Sequence, residues 1–599
     1  MICIMMLCVY VGSDSLKKDL YSGIHFVVNE TDCINLWKDT EHNELIVFLP
    51  SYAELDHTTI IIDEKMSVVI DGIRIASGSD CSSFEPEQKH TISVNGMPPK
   101  RLRFLKSENT ASMFMDTSSG GITFIHKEKE HKEDVKVALY TAQGELNYAA
   151  EFEDKIRGRG NHSWWNYDKK SYNLYLNKPS NLLDLGTGSK WVLLSNTSDC
   201  THLKNKLAMD FACEIGSYEG FSSTSSYVNL YMNGQYYGLY LLCRSVDDNL
   251  EYVLGSSKDN SFSIELLPAE RIESGKKTIQ FNESMAVEIA YPDLISKDKK
   301  DIIESWVLSF DQFINSGNAS ADEMNAYIDV ETWVEKYLVD AVFNDFDISY
   351  ASDFYWGDTD NLRIYAGPCW DYDLSMGSHS TYSTFADEKT WRHGGAHDGI
   401  TWNAGLWRIP EFREYALQIY QDTFREKLEK LIDTGIREGA NQIAAAMELE
   451  RRRWPDLYKS YENDQDAVND LIDYMSSRVS FLDSYWVNND SYYVITLKYP
   501  YGNLRCYVRP NTAYEGLMTP QDLSPEEPEA VWFYENTQQP FDYNTVIHED
   551  ITLVSKDYLN QINSKEENYT GMKIVVLSLT AFLGILFIAW FIDYRRRRA

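Results

Sequence analysis

The sequence lacks the patterns that mark zinc ribbons, zinc proteases and serine hydrolases. Its nine cysteines form no CxxC pair, which argues against a zinc ribbon. Its twelve histidines show no HExxH spacing, and no GxSxG pattern marks a serine nucleophile. Cys33 and Cys81 could form a disulfide in the N-terminal region, or both could remain small buried thiols.

Basic residues are also in deficit. The 599 residues carry 56 Lys and Arg against 91 Asp and Glu, a formal net charge of −35. Because such a chain repels phosphodiester backbones, nucleic acid is not an expected partner. The 40 tyrosines and 15 tryptophans provide ample material for cores, and the length predicts three or four domains.

Long apolar runs are scarce and lie near the ends. Residues 1–14 resemble a truncated signal peptide, because Ile2 to Gly12 is apolar but no basic region precedes it. Residues 574–592 contain no charge and approach the ~20 residues that a transmembrane helix requires. Arginines follow at once, which predicts a cytoplasmic C-terminus. These patterns predict a single-pass protein of the cell membrane with an extracellular ectodomain, a stalk at 560–572, a transmembrane helix at 574–592 and a basic tail at 593–599.

The predicted fold class is a multidomain protein, with a central α+β domain between small all-β domains. Short apolar strands predict a β-sandwich-like module over residues 20–109. Mixed helical and strand patterns follow over residues 111–487, including a helix at 203–215 and a hairpin turning at Asn233-Gly234. Residues 491–559 return to a β pattern that resembles a Listeria–Bacteroides β-grasp repeat.

A basic glycine turn is the first candidate for chemistry. The sequence KIRGRGN at residues 155–161 precedes Lys169 and Lys170. Glycines allow close approach of the backbone to a ligand, and arginine and lysine offer donors to phosphate oxygens. The alternative is a solvated hairpin, although local positive charge is unusual in so acidic a chain.

Two acidic loops are the second candidate. One contains Asp345 and Asp347, followed by Ser352 and Asp353; the other contains Asp371-Tyr-Asp373. Placed at a strand end, an Asp-x-Asp pair would direct both carboxylates to one face. A few carboxylates together with phosphate oxygens suit Mg²⁺. The alternatives are acidic turns with capping roles, or a calcium loop.

These segments together resemble the spore coat protein H (CotH) kinase family, an atypical protein-kinase-like group. Matching segments occur in order: IRGRGNHSWWNYDKKSYNLYL, WVLLSNTSDCTHLKNKLAMDFACEIG, YVNLYMNGQYYGLYLLCRSVD, SIELL, NDFDISYASDFYW, IYAGPCWDYDLSMG and LWRIPEFREYALQIY. The resemblance covers about residues 111–486. Two departures are Ser352 and Asp353, where many members have an asparagine, and Lys204, where an arginine is usual.

The resemblance implies a kinase-like central domain that uses ATP and Mg²⁺ to phosphorylate Ser or Thr of surface or secreted proteins, possibly itself. Asp347 would be the catalytic aspartate, with Asp345 as the competing choice. The implied metal ligands are Asp371, Asp373, Asp353 and Ser352. The implied ATP- and phosphate-binding residues are Arg157, Gly158, Arg159, Gly160, Asn161, Lys169 and Lys170.

Two alternatives to an active kinase remain open. The departures from the family pattern leave room for a pseudokinase that acts as a surface adhesin or scaffold. Paired carboxylates and many tryptophans also fit a carbohydrate-active enzyme, but the sequence shows no sugar-sized cleft.

Overall fold

The computed structural model describes residues 21–563, except for 87, 247, 249–259, 274, 293, 317–318, 346, 378–389, 392–400, 501, 514–516, 518 and 524–526. The segment predicted as a signal peptide, residues 1–14, lies outside the described residues. Cys33 and Cys81 are both free thiols.

The N-terminal region consists of two sheets whose apolar faces share one core. Alternating burial along β1 and β9 follows from the period of two in a strand. The sheets have the strand orders β2-β1-β5-β8 and β3-β4-β10-β9-β6-β7. The strands are β1 (Ile24–Val28), β2 (Asp32–Asn35), β3 (Trp37–Asp39), β4 (Glu44–Leu49), β5 (Thr59–Ile62), β6 (Val68–Ile70), β7 (Ile73–Ile75), β8 (Ser79–Asp80), β9 (Lys89–Val94) and β10 (Lys100–Lys106).

The next seven strands close into a barrel of order β11-β12-β13-β14-β15-β17-β16. They are β11 (Ala111–Thr117), β12 (Lys132–Tyr140), β13 (Leu146–Arg159), β14 (Ser171–Asn181), β15 (Thr187–Leu194), β16 (Ser225–Met232) and β17 (Gln235–Arg244). Closure depends on parallel pairing of β16 with β11. The hairpin predicted at Asn233-Gly234 is confirmed, with positive φ at both residues as a type I′ turn requires.

Three helices accompany the barrel strands. They are α1 (Thr123–Lys127), α2 (His162–Asn166) and α3 (Lys204–Ile215). The helix predicted at residues 203–215 is confirmed as α3, which Gly216 ends. Helix α2 follows the glycine turn, so it fixes where that turn points.

A five-stranded sheet and three helices form the next layer. The sheet order is β19-β20-β18-β21-β22. Its strands are β18 (Ser261–Pro268), β19 (Thr278–Gln280), β20 (Met285–Tyr291), β21 (Asp353–Asp358) and β22 (Asn361–Ala366). The helices are α4 (Lys297–Asn315), α5 (Ala321–Tyr327) and α6 (Val330–Phe343). All of α6 except its first two residues is buried in the largest core, so α6 is a fixed support for the loop that follows it.

Helices then dominate as far as residue 487. They are α7 (Trp402–Leu406), α8 (Pro410–Ile419), α9 (Arg425–Lys430), α10 (Ile436–Arg453) and α11 (Asp464–Leu482). The π-helical turns Tyr420–Phe424 and Leu431–Gly435 join α8, α9 and α10 into one continuous rod, and a third, Asp483–Val487, extends α11.

The C-terminal part is a small mixed sheet of order β23-β25-β24-β29-β27, beside the pair β26-β28. The elements are β23 (Thr390–Trp391), β24 (Tyr493–Tyr499), β25 (Gly502–Val508), β26 (Thr512–Ala513), α12 (Pro520–Leu523), β27 (Phe533–Tyr534), β28 (Val546–Ile547) and β29 (Ile551–Val554).

The predicted fold class and localisation need correction. Within the part of the chain that the structure describes, no helix combines the length and apolar character needed to cross a membrane. The long helix α4, for example, alternates charged and apolar residues and buries only one face. This finding contradicts the predicted single-pass membrane protein, and the segment 574–592 lies outside the described residues. The described architecture is a mixed α/β multidomain chain that includes a closed seven-stranded barrel.

Candidate active site

The glycine turn leaves the barrel at the end of β13. A Cβ atom on Gly158 would lie 2.2 Å from the Trp164 ring, so this glycine lets α2 pack against the strand. Gly160 has φ +86°, a backbone conformation that residues with a side chain rarely adopt. The turn therefore has a fixed shape, set by the packing of its own tryptophan.

The turn lies against the second acidic loop. The Arg159 guanidinium is 5.3 Å from the centre of the Trp370 ring, a cation–π contact. Burial lowers the pKa of His162 on α2, and the negative charge of Asp371 opposes that shift. The basic turn and the Asp371 loop, which are more than 200 residues apart in sequence, therefore meet in space.

Asp371 and Asp373 lie in a loop beyond β22. The expectation that a strand would align them is wrong, since Asp371 has φ +72° in the left-handed region. The loop is instead held by its central residue. The Tyr372 amide donates to the Asn205 side-chain oxygen at 2.7 Å, and its hydroxyl donates to Asp340 at 2.7 Å.

The carboxylates of this loop lie in an acidic cluster. Burial raises the pKa of Asp373 to about 8, and the charges of Asp371, Asp199 and Asp347 add to the effect. The Ser352 hydroxyl donates to Asp371 at 3.1 Å. Like charges held this close repel each other, and a cation is the natural partner for them.

Asp345 and Asp347 follow α6 on a loop that begins with Asn344 in the left-handed conformation. Asp345 is 4% exposed, and burial together with the charges of Asp340 and Asp347 raises its pKa well above the usual range. Asp347 is only partly buried. Of the two, Asp347 is therefore the carboxylate that an external hydroxyl can reach.

Asp353 is placed behind the site. Its carboxylate accepts from the Lys336 ammonium at 2.6 Å and from the Ser349 amide at 2.7 Å. Lys336 also donates to Asp340 at 2.5 Å, and all three charged side chains are at most 5% exposed. We call Lys336, Asp340 and Asp353 the buried brace. It connects α6, β21 and, through Asp340, Tyr372.

The two predicted lysines are occupied by protein atoms. The Lys169 ammonium is fully buried, 2.7 Å from both the Glu450 carboxylate and the Leu239 carbonyl oxygen. The Lys170 ammonium donates to the Trp164 and Tyr167 carbonyl oxygens at the end of α2. Both lysines hold the structure together around the turn.

The other turn residues differ in their surroundings. The exposed Asn161 accepts from the Lys129 ammonium at 2.8 Å. Arg157 is partly buried, and its Nε has no hydrogen-bond partner among the described residues. Arg159 forms no ion pair with any described carboxylate. The arginines are thus better placed than the lysines to receive an anionic ligand.

The site suits a metal that arrives with phosphates. Among the described residues, no three His, Cys, Asp or Glu side chains are grouped to hold a metal ion unaided. Mg²⁺ bound with a nucleotide needs only one or two carboxylates in addition to phosphate oxygens. Asp371 and Asp373, whose charges interact, are the candidate carboxylates for such a metal.

Comparison with known families agrees with this geometry. The sequence model described as CotH kinase protein matches residues 156–482, more than half of the 599-residue chain. The chain belongs to the CotH kinase family. The resemblance inferred from the ordered motifs is confirmed, and CotH membership indicates a kinase-like function. No curated protein matches the sequence.

Several residues that support the CotH site were not identified from sequence. Asn205 holds the Tyr372 amide, and Asp199 accepts from the amides of Thr201 and Lys204 at the start of α3. A capping signal was available for Asp199, because an aspartate stands shortly before the helix. No local pattern marks Asn205, whose partner is 167 residues away.

Proposed function

We propose that this CotH-family protein is an ATP-dependent kinase that phosphorylates Ser or Thr hydroxyls of proteins, itself included. The observation that carries the proposal is the meeting of the basic turn with the acidic loop, through Arg159 on Trp370 and His162 near Asp371. A cation and two carboxylates in one place suit a magnesium-loaded triphosphate.

Asp371 and Asp373 are the proposed ligands of Mg²⁺, which when bound would neutralise charge on the phosphates. Ser352 orients Asp371 through its 3.1 Å hydrogen bond. Arg159 would bind phosphate oxygens from the other side, with Arg157 further along the same strand. Asp353 is proposed to act through the buried brace rather than on the metal.

Asp347 is the proposed catalytic residue. Its carboxylate would accept the proton of the acceptor hydroxyl as that oxygen bonds to the γ-phosphorus. The bond from the γ-phosphorus to the β–γ bridging oxygen breaks, and ADP leaves with that electron pair. Asp345 is too deeply buried for this role, and its raised pKa favours the protonated form.

A transfer assay with an active-site variant tests the proposal. The full chain is incubated with Mg²⁺ and ATP labelled at the γ-phosphate, and label on itself and on a generic Ser/Thr acceptor is measured. Asp347→Asn should lower kcat on the order of 10²–10⁴-fold with little change in the KM for ATP. Asp360→Asn, in the exposed turn between β21 and β22, is the matched control. Equal labelling by the wild type and Asp347→Asn would refute the assignment.

A non-catalytic nucleotide-binding scaffold is the second candidate. It is favoured by the occupied state of Lys169 and Lys170, which the family resemblance assigned to phosphate. A wild-type protein that gains thermal stability with Mg²⁺ and ATP, yet transfers no label, would support this alternative. One bound ligand at 100 times its Kd should add about 2.7 kcal/mol.

A further inference from the structure

A cavity of about 300 Å³ opens beside the acidic cluster, between the loop that precedes α3 and the helix α11. Its lining includes Ser198, Asp199, Lys204, Gly377, Asp473 and Tyr474. Asp373 of the candidate site adjoins this lining, since its carboxyl interacts with Ser198 and with the charge of Asp199.

Lys204 is the unusual group in this cavity. Its side chain belongs to a residue only 5% exposed, yet within the described part of the chain its ammonium has no hydrogen-bond or ion-pair partner. The ammonium groups of the buried Lys169 and Lys336, by contrast, both form ion pairs. Because Lys204 also lines the cavity, an anionic ligand bound there would give this ammonium the partner that it lacks.

The electrostatics around Lys204 agree with a role in anion binding. Burial lowers the pKa of Lys204, while the charges of Asp199, Cys200 and Asp373 oppose the shift. Asp199 is itself engaged by the amides of Thr201 and Lys204, so its charge is partly satisfied by the start of α3. The ammonium is thereby left available to a ligand in the cavity.

The rim of the cavity restricts what the ligand can be. The exposed carboxylates Asp470 and Asp473 line it and would repel a bare polyanion. A polyphosphate loaded with Mg²⁺ carries its own compensating charge, so it can pass an acidic rim and still offer free oxygens to a lysine.

We infer that Lys204 binds the non-bridging phosphate oxygens of the magnesium-loaded nucleotide, the role that Lys169 and Lys170 cannot fill. The inference rests on the proposed function, because it places the nucleotide's phosphates between the Asp371 loop and α3. Lys204 begins α3, so the same helix contributes both this cation and Asn205, which positions Tyr372.

Calorimetric binding of Mg²⁺-tripolyphosphate and Mg²⁺-ATP tests the inference without relying on catalysis. Lys204→Met should raise the Kd for both ligands at least tenfold, whereas Lys204→Arg should remain within about threefold of the wild type. Lys206→Met is the matched control, because Lys206 lies on the same helix and pairs with Asp210 at 2.8 Å. Unchanged affinity in Lys204→Met, or no binding of Mg²⁺-tripolyphosphate by the wild type, would overturn the inference.

A second measurement applies even if Lys204→Met fails to fold. Acylation of Lys204 in the wild-type chain, read by peptide mass spectrometry, should fall at least fivefold when Mg²⁺-tripolyphosphate is present, while acylation of Lys206 stays constant. Equal acylation of Lys204 with and without the ligand would contradict the inference. If Lys204 is protected but no phosphoryl transfer occurs, the kinase proposal fails and this inference stands. If Lys204→Met transfers phosphate with an unchanged KM for ATP, the kinase proposal stands and this inference fails.

Discussion

Gly158 and Trp164 illustrate how single residues shape the candidate site. The glycine was expected to permit close approach of a ligand, but the group it admits is the Trp164 ring, 2.2 Å from where a Cβ would stand. The sequence therefore predicted a close approach at this glycine, but did not predict that a side chain of the same turn makes it.

Gly158→Ala should destabilise the protein by about 1–3 kcal/mol, because the ring must move to admit a methyl group. Gly121→Ala is the control, since a Cβ there meets nothing within 4 Å. Denaturant unfolding of both variants measures the difference. Equal stability of the two variants would show that Trp164 does not pack against this glycine.

Glu335 introduces a pH dependence near neutrality. Burial raises the pKa of its carboxyl to about 7, although the amide and hydroxyl of Ser217 donate to it. A carboxyl with a raised folded-state pKa contributes stability below its unfolded pKa of 4.5, and that contribution is lost as pH rises through about 7.

Glu335→Gln should therefore reduce the fall in stability between pH 5 and pH 8 by about 2 kcal/mol. Unfolding free energies at the two pH values, in the wild type and the variant, measure this effect. An identical pH dependence in both proteins would show that Glu335 ionises normally in the folded state.

Residues that act across long sequence separations were not predictable individually. The sequence predicted Asp347, Asp371 and Asp373 as candidate site residues, because acidic clusters are visible locally. The partner of Lys169 is Glu450, 281 residues away, and nothing near either residue indicates the pair. The assignment of that lysine to phosphate failed to anticipate a buried ion pair for this reason.

At the level of elements, the buried brace holds α6 and β21 together behind the catalytic loop. Lys336 lies 2.5 Å from Asp340 and 2.6 Å from Asp353, and Asp340 also accepts from the Tyr372 hydroxyl. Removing the lysine would leave the carboxylates of Asp340 and Asp353 in the interior without a counter-charge. The carboxyl of Asp345 lies near them as well.

Lys336→Met should cost about 3–5 kcal/mol, and adding Asp340→Asn and Asp353→Asn should recover part of that loss. The exposed pair of Lys427 and Glu214 provides the comparison, where Lys427→Met should cost less than about 1 kcal/mol. Urea unfolding separates the two cases. A loss for Lys336→Met no larger than for Lys427→Met would mean that the brace is not energetically important.

Individual elements were more predictable than their assembly. The helix α3, the β16–β17 hairpin and the β21–β22 pair follow from apolar periodicity and turn residues, so the sequence predicts them closely. The Asp371-Tyr-Asp373 segment was expected at a strand end and lies instead in a loop, because its geometry depends on Asn205 and Asp340 from distant elements.

For the whole molecule, the closure of the barrel could not be predicted from local sequence patterns. It depends on parallel pairing of β11 with β16, strands more than 100 residues apart. Family membership was predictable, since it depends on ordered motifs rather than on contacts. The predicted membrane localisation was wrong because it relied on one apolar run outside the described residues, whereas no described helix meets the requirement.

The net charge of −35 gives a prediction for the whole chain. Self-repulsion of a strongly acidic protein destabilises its compact state, and salt screens that repulsion. The melting temperature should therefore rise by several degrees between low salt and 0.5 M NaCl, a concentration with a Debye length of roughly 4 Å. A fall in melting temperature over that range would indicate that attractive surface ion pairs outweigh the repulsion.

The central claim is that the basic turn and the acidic loop bind one magnesium-loaded nucleotide, and Mg²⁺-ATP binding by calorimetry tests it most directly. Arg159→Met and Asp371→Asn should each weaken binding at least tenfold, or about 1.4 kcal/mol, while Asp360→Asn binds as the wild type does. Wild-type affinity in both Arg159→Met and Asp371→Asn would contradict the claim.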